Sequence, residues 1–334
     1  MSEIRIDPIT GRHVIISEGR DDRPSDFWSR KIEKKIVPTW VEYCPFCKGN
    51  EYMTPKAILE EPSGDWEIRV VPNKFPALTM KKKKELEDDE LFVKYMGVGM
   101  HEVLIESQDH SMSFFKMEFE NMKKLISVLL ERYRWIKDQE GIEFVSIFKN
   151  YLKGSGASLE HPHTQILGLS ATPDYVRYEI EGSEKYYQKK MKCIYCDIIE
   201  REEELRDRVI YSNKYFIAIA PFASKYKYET WILPKFHQWD LSQVSKEEEI
   251  ELADITYKIF KAMGKAIGDF PFNMFMHLLP KKMEVEHSQV YHWHMEIIPR
   301  LSGNAGFELG TGIYINTVSP EESARKIREK IEEE

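Results

Sequence analysis

The residues best suited to chemistry form the motif His-Pro-His-Thr-Gln at residues 161–165. On an extended strand, residues two apart point to the same face, so the two imidazoles would lie side by side. The run Gly-Ser-Gly-Ala-Ser at residues 154–158 is small enough for backbone N–H groups to approach a phosphate closely. Transfer of a nucleotidyl group requires at least a nucleophile, such as an imidazole, beside a phosphate-binding loop.

All four cysteines belong to two C-x-x-C pairs, Cys44/Cys47 and Cys193/Cys196. Thiolates at this spacing can bind one tetrahedral zinc ion together, which favours zinc over disulfides. A thioredoxin-like redox site is the third interpretation. It would require a pair at the start of a helix in a βαβ unit, and we expect neither pair to open such a helix.

The same order of motifs occurs twice along the chain. Each C-x-x-C pair is followed by β-rich segments, one histidine, an amphipathic helix and a strand carrying His-x-His. These histidines are His110 and His161/His163 in the first half, and His237 and His292/His294 in the second. Helical spacing of apolar residues predicts long helices within 122–136 and 250–267. We therefore predict an α+β fold dominated by antiparallel pairing, with halves at 1–175 and 176–334.

This repeated order predicts one metal site in each half. The first Cys2His2 set consists of Cys44, Cys47, His110 and His161, and the second of Cys193, Cys196, His237 and His292. Zinc at either site would hold distant parts of the chain together. A rival second site, around a harder metal such as iron, would consist of Glu179, His277, His292 and His294.

The segments around each His-x-His pair indicate which half is catalytic. Residues 154–158 offer glycines and hydroxyls, whereas residues 285–291 contain no glycine and an acidic residue that would repel a phosphate. After the pair, Gln165 can donate to a phosphoryl oxygen, but an ionised Glu296 only accepts. We expect His163 in the first half to be the nucleophile. Gln165 cannot act as an acid, which suits transfer to a phosphate better than acid-assisted hydrolysis.

Composition narrows the function classes further. The 334 residues are 42% hydrophobic and 31% charged, as in ordinary globular proteins. A net charge of −8 argues against nucleic acid or an acidic membrane as the main partner. The sequence contains neither an apolar run of membrane-spanning length nor a signal-peptide pattern, so we expect a cytoplasmic protein without a membrane partner.

With these motifs the chain resembles the galactose-1-phosphate uridylyltransferase family of the histidine-triad superfamily, from Arg20 to about Asn316. The motifs that carry the resemblance are Cys44-x-x-Cys47, Asn73-x-Phe75, Asp109-His110-Ser111, Gly156-Ala157-Ser158, His161-Pro162-His163-x-Gln165, His292-x-His294 and Gly306-Phe307-Glu308. The resemblance implies two histidine-triad-like halves that form one antiparallel half-barrel and work as a homodimer.

The resemblance also implies an activity and its site residues. The family transfers a uridylyl group from UDP-glucose to galactose 1-phosphate through a covalent uridylyl-histidine, here at His163. Its substrate-binding residues would match Ser158 and Gln165 at the phosphates, Asn73, Phe75 and Asn150 at the nucleotide, Arg20 and Arg23 across the dimer interface, and Phe307 and Glu308 in the hexose-contacting stretch.

Two departures keep other activities open. Lys74 stands where the best-known members have an aspartate near the uracil, so the base preference is not fixed. The segments 101–103 and 306–312, with the second C-x-x-C pair, are closer to a branch that includes an ADP-glucose phosphorylase, which passes AMP to inorganic phosphate. We expect uridylyl transfer, with an ADP-sugar phosphorylase or a non-catalytic, zinc-stapled nucleotide-sugar sensor as the alternatives.

Overall fold

The computed structural model describes residues 2–18, 37–80 and 90–333, so Arg20 and Arg23 lie outside the described residues. The strands are β1 (Ser2–Ile6), β2 (His13–Ser17), β3 (Leu59–Glu61), β4 (Ile68–Pro72), β5 (Gly99–Ile105), β6 (Phe144–Tyr151), β7 (His163–Leu169), β8 (Val209–Ser212), β9 (Phe216–Ile219), β10 (Thr230–Pro234), β11 (Phe272–His277), β12 (His294–Pro299) and β13 (Tyr314–Asn316). The helices are α1 (Phe119–Lys137), α2 (Asp174–Lys190), α3 (Ile194–Leu205), α4 (Lys246–Ile267), α5 (Glu284–His287), α6 (Gly306–Thr311) and α7 (Pro320–Glu332).

Among the described residues, ten strands form one antiparallel sheet in the order β3-β4-β5-β7-β6-β11-β12-β10-β9-β8. The strands β3 to β7 of the first half are repeated in reverse order by β8 to β12 of the second half. Strands β6 and β11 meet in the middle, where Phe148 pairs with Phe275. A separate sheet joins β1, β2 and β13. The expected mixture of helices with a large antiparallel sheet is confirmed.

The long helices α1 and α4 pack against each other, and their apolar faces join a hydrophobic core that includes residues of both halves. In α1 the predicted apolar face is buried. In α4, Ile255, Ile259 and Met263 are buried as expected, but Ile250 is 48% exposed. Ile250 precedes the buried Leu252 by two residues, which is a rotation of about 200° around the helix, so it faces away from the core. No helix in the described ranges has the length and apolar character to cross a membrane.

Gly99 on β5 lies so close to Gly168 on β7 that an added methyl group would overlap the Gly168 carbonyl oxygen. Because that oxygen belongs to the backbone, the strands would have to separate. We expect Gly99→Ala to lower the free energy of unfolding by about 1–3 kcal/mol in chemical denaturation. The control is Gly303→Ala, whose new methyl group would meet nothing within 4 Å. Equal stability of the two variants would contradict this packing.

Candidate active site and metal centres

The four residues of the first predicted metal site meet in one buried cluster. Cys44 and Cys47 lie in a turn before β3, His110 follows β5, and His161 precedes β7. Their ligand atoms all lie within 4.8 Å of one another. The Cys47 Sγ atom is 3.4 Å from Nδ1 of His110 and 3.6 Å from Nδ1 of His161. Two sulfurs and two imidazole nitrogens that face one point could hold a metal ion.

Surrounding hydrogen bonds orient this cluster. Nε2 of His161 donates to the carbonyl oxygen of Ser107 at 2.8 Å, so Nδ1 keeps its lone pair and faces the sulfurs. The Asn50 side chain donates to the Cys44 carbonyl and to two preceding carbonyls, which fixes the cysteine turn. Burial raises the pKa of Cys44 to about 11, so a thiolate there needs a neighbouring cation. The donor set therefore fits a metal ion.

The second predicted set is assembled in the same way. The ligand atoms of Cys193, Cys196, His237 and His292 all lie within 4.8 Å of one another. The Cys196 Sγ atom is 3.5 Å from Nδ1 of His237 and 3.8 Å from Nδ1 of His292. Nε2 of His237 and Nε2 of His292 donate to backbone carbonyls at 2.7 Å and 2.9 Å. Both Nδ1 lone pairs therefore face the sulfurs, and this set also fits a metal ion.

The rival second site is only partly assembled. Glu179, His277 and His294 lie together, but His292 belongs to the cysteine set. His277 is held through both ring nitrogens, by Glu179 at 2.9 Å and by Glu296 at 2.9 Å. Burial opposes its charge, but these carboxylates prevail and raise the pKa of His277 to about 9. A His277 with both nitrogens engaged fits a buried ion-pair network better than a metal site.

The second cysteine pair opens a helix, although not a helix in a βαβ unit, which a thioredoxin-like redox site would require. Cys193 is the N-cap residue of α3, and Cys196 lies in the first turn of that helix, so the second pair does open a helix. The helix leads into the antiparallel strands β8 and β9, however, and not into a parallel βαβ unit. No disulfide joins any of the four cysteines. The second pair therefore has the helix of a thioredoxin-like redox motif but not its βαβ unit. In addition, its cysteine sulfurs lie beside histidines, which is the arrangement of a metal site.

His163 opens β7 and is 7% exposed. Its Nδ1–H donates to the backbone carbonyl of His161 at 2.8 Å, which leaves the lone pair on Nε2. Burial lowers the pKa of His163, so the ring is neutral near pH 7. Behind the strand, the buried Lys149 ammonium forms an ion pair with Glu106 at 2.8 Å and lies 3.4 Å from the His163 carbonyl. The strand thus presents a neutral imidazole in one defined tautomer.

Gln165 lies on the same face of β7 as His163, two residues further along the strand. Its Oε1 atom is 2.8 Å from Nε2 of His101, and the Asn73 amide nitrogen lies 3.1 Å from the same His101 atom. Asn73 also accepts from the Phe75 N–H at 2.8 Å, while the Phe75 ring is 83% exposed. The structure thus joins two predicted residues, Asn73 and Gln165, through His101, which was not predicted as a site residue.

The remaining predicted substrate-binding residues lie in three places. Asn150 is near the end of β6 and accepts from Asn273 of β11 at 2.7 Å. Ser158 is exposed in the loop before β7, where Gly156 has a φ of 90° that favours glycine. Phe307 and Glu308 lie in α6, where Glu308 accepts from a backbone N–H at 2.9 Å.

The comparisons with known proteins agree with these motifs. A family model described as "Galactose-1-phosphate uridyl transferase, N-terminal domain" matches residues 1–173, and one described as a domain of unknown function matches residues 102–334. ADP-glucose phosphorylase from Arabidopsis thaliana is 32% identical over 98% of this chain and 92% of its own length. Galactose-1-phosphate uridylyltransferase from Thermotoga maritima is 31% identical over 98% of both chains.

Solved structures show the same relationship. The crystal structure of the Arabidopsis thaliana ADP-glucose phosphorylase with bound ADP-glucose matches with a TM-score of 0.83 and 31% identity, over 98% of this chain and 99% of that one. A solved structure of a uridylyltransferase matches with a TM-score of 0.75 and 28% identity, over 100% of this chain and 99% of that one. The chain belongs to the galactose-1-phosphate uridylyltransferase family.

Proposed function

We propose that the protein is a nucleotidyltransferase that exchanges a uridylyl group between UDP-glucose and galactose 1-phosphate through a covalent nucleotidyl-His163. The observation that carries the proposal is the hydrogen bond from His163 Nδ1 to the His161 carbonyl, which leaves Nε2 as the nucleophilic atom. The curated uridylyltransferase relative, aligned over 98% of this chain, supports the choice of substrates.

The reaction is a double displacement at the α-phosphorus of the donor. The Nε2 lone pair of His163 forms a bond to phosphorus, while the bond to the bridging oxygen breaks and glucose 1-phosphate leaves with that electron pair. The leaving phosphate is weakly basic, so this step needs no general acid, and Gln165 instead donates its amide N–H to a phosphoryl oxygen. In the second step an oxygen of galactose 1-phosphate attacks phosphorus, the P–N bond breaks and UDP-galactose leaves.

An ADP-sugar phosphorylase is the second candidate. It would use the same nucleophile but pass AMP to inorganic phosphate. The Arabidopsis thaliana ADP-glucose phosphorylase, at 32% identity and 98% coverage of this chain, favours it. Lys74, between Asn73 and Phe75, donates to the Met53 carbonyl at 3.3 Å. The family resemblance implies an aspartate near the uracil at this position in the best-known uridylyltransferases, so the lysine also favours a different base.

The substrate-binding roles and the assembly belong to the same proposal. Asn73, Phe75 and Asn150 would contact the nucleotide, Ser158 a phosphate, and Phe307 and Glu308 the hexose. In a homodimer, Arg20 and Arg23 would reach a substrate phosphate of the partner. The palindromic strand order supports two histidine-triad-like halves, 1–175 and 176–334, that together form a half-barrel. We place the protein in the cytoplasm.

We assign zinc to both Cys2His2 sets, the first made by Cys44, Cys47, His110 and His161 and the second by Cys193, Cys196, His237 and His292. Two thiolates with two imidazoles are the ligands that zinc prefers, and both histidines of each set turn Nδ1 toward the sulfurs. Zinc at these sites would be structural. In small zinc domains such an ion contributes on the order of 10 kcal/mol of apparent binding free energy. His163 needs no metal for either displacement.

The nucleotide sugar that donates the nucleotidyl group is identified by mass spectrometry of the intact protein after separate incubation with UDP-glucose and with ADP-glucose, without an acceptor. We expect a uridylyl adduct with UDP-glucose that disappears when galactose 1-phosphate is added. An adenylyl adduct that disappears with inorganic phosphate would establish the phosphorylase instead. Metal-replete protein that forms no adduct with either donor would contradict both activities and favour the sensor.

The paired histidines have separable roles. His163→Ala should abolish adduct formation and leave metal content and melting temperature near wild type, because His163 is not in the cysteine cluster. His161→Ala should lose one metal equivalent and lower the melting temperature, because a ligand is removed. Metal analysis by mass spectrometry and thermal denaturation measure both effects. Equal metal loss in the two variants would refute the assignment.

The composition of the second metal site is tested by two substitutions. Cys196→Ser should remove one metal equivalent, since its Sγ atom faces both histidines of the set. His277→Gln should keep full metal content while lowering stability, because it disrupts only the ion pairs with Glu179 and Glu296. If His277→Gln loses the metal and Cys196→Ser retains it, the harder-metal site is the correct one.

A further inference from the structure

We infer that His101 is a positioning residue for the transfer reaction: it holds the Gln165 amide so that the NH2 group, and not the oxygen, faces the phosphoryl group. This inference rests on the proposed nucleotidyl transfer at His163. His101 acts through Gln165 and does not take part in bond formation itself.

Strand register brings the two side chains together. Strands β5 and β7 pair antiparallel, with Val103 opposite Gln165 and Ile105 opposite His163. Because side chains alternate along a strand, His101 shares the face of the sheet that carries His163 and Gln165. The His101 Nε2 atom lies 2.8 Å from Gln165 Oε1, across a diagonal of the pair.

The proton on the His101 ring follows from its two neighbours. The backbone N–H of Ala77 donates to Nδ1 of His101 at 3.4 Å, so Nδ1 carries the lone pair. The proton of the neutral ring is then on Nε2, where it donates to Gln165 Oε1. Burial lowers the pKa of His101, which favours this neutral form. With Oε1 engaged, the two N–H groups of the Gln165 amide point away from His101.

This arrangement matters because a glutamine amide has two nearly isosteric orientations. One presents two donors to a phosphoryl oxygen, and the other presents an acceptor that would repel it. A donor bond from His101 Nε2 to Oε1 removes the unproductive orientation before the substrate binds. Preorganised donors of this kind lower the barrier, because no reorientation is needed as charge develops.

His101 also connects the phosphate side of the site to the nucleotide side. The Asn73 amide nitrogen lies 3.1 Å from His101 Nε2, and Asn73 Oδ1 already accepts from the Phe75 N–H. Nε2 cannot donate to Gln165 and accept from Asn73 at the same time. With the proton on Nε2, the close approach of the Asn73 amide nitrogen to this atom is a contact and not a hydrogen bond, so under the proposed function the Asn73 N–H groups would donate to the nucleotide. The turn at Asn73 and the Gln165 amide therefore share one histidine.

The first test is the tautomer of His101 in the free protein, which does not depend on activity. Nitrogen-15 NMR of histidine-labelled protein distinguishes a protonated Nε2 from a protonated Nδ1, and a His101→Gln sample assigns the signals. We expect the Nε2–H tautomer in wild type. A predominant Nδ1–H tautomer would overturn the inference even if the protein is an active transferase.

The second test is a double-mutant cycle on the rate of adduct formation in a single turnover, with whichever donor forms the adduct. His101→Leu removes the hydrogen-bond donor while keeping a similar side-chain volume. We expect His101→Leu and Gln165→Ala each to slow adduct formation by about 10- to 100-fold. The double variant should be no slower than the slower single variant, because one effect passes through the other. His101→Gln, which keeps a donor, should recover part of the rate.

The cycle includes controls for a purely structural effect. The affinity of His101→Leu for the nucleotide sugar and its melting temperature should stay near wild type. His13 is exposed, and His13→Leu should leave the rate of adduct formation unchanged. Multiplicative losses in the double variant, or a wild-type rate in His101→Leu, would overturn the positioning role. Absence of an adduct in wild type would refute the proposed function instead, and the NMR result would still decide the geometry at His101.

Discussion

The imidazole that we propose as the nucleophile, that of His163, depends on one neighbouring residue, His161. The side chain of His161 lies in the cysteine cluster, and its backbone carbonyl accepts the Nδ1–H of His163. A displacement of this residue would therefore disturb the Cys2His2 cluster and the tautomer of His163 together. His161 is fully buried, so neither interaction competes with water. The His163 imidazole is thus held by backbone geometry that the cysteine turn and the start of β7 jointly fix.

The second half of the chain contains the same histidine-to-carbonyl contact, but a different residue follows it on the strand. His294 Nδ1 lies 3.2 Å from the His292 carbonyl, as His163 does from that of His161. The counterpart of Gln165 is Glu296, because Gln165 pairs with Phe148 and Glu296 with Phe275. Glu296 forms an ion pair with Lys225 at 2.7 Å. One scaffold therefore carries an uncharged amide in one half and an ion-paired carboxylate in the other.

The sequence was sufficient for features that local spacing determines. The two C-x-x-C pairs with their histidines and the buried face of α1 follow from motif order and helical period. Another feature depends on long-range register. His101 belongs to the candidate site only because β5 pairs with β7 in one register. This placement could not be derived from residue spacing alone, since it requires knowing which strands become neighbours.

The central claim is that Nε2 of His163 carries the nucleotidyl group because His161 occupies Nδ1. The most direct measurement is phosphorus–nitrogen correlation NMR on the adduct formed with nitrogen-15-labelled histidine, combined with peptide mapping of the modified residue. A phosphorus bond to Nε2 of His163 is the predicted result. A bond to Nδ1, or an adduct on any other residue, would contradict the claim.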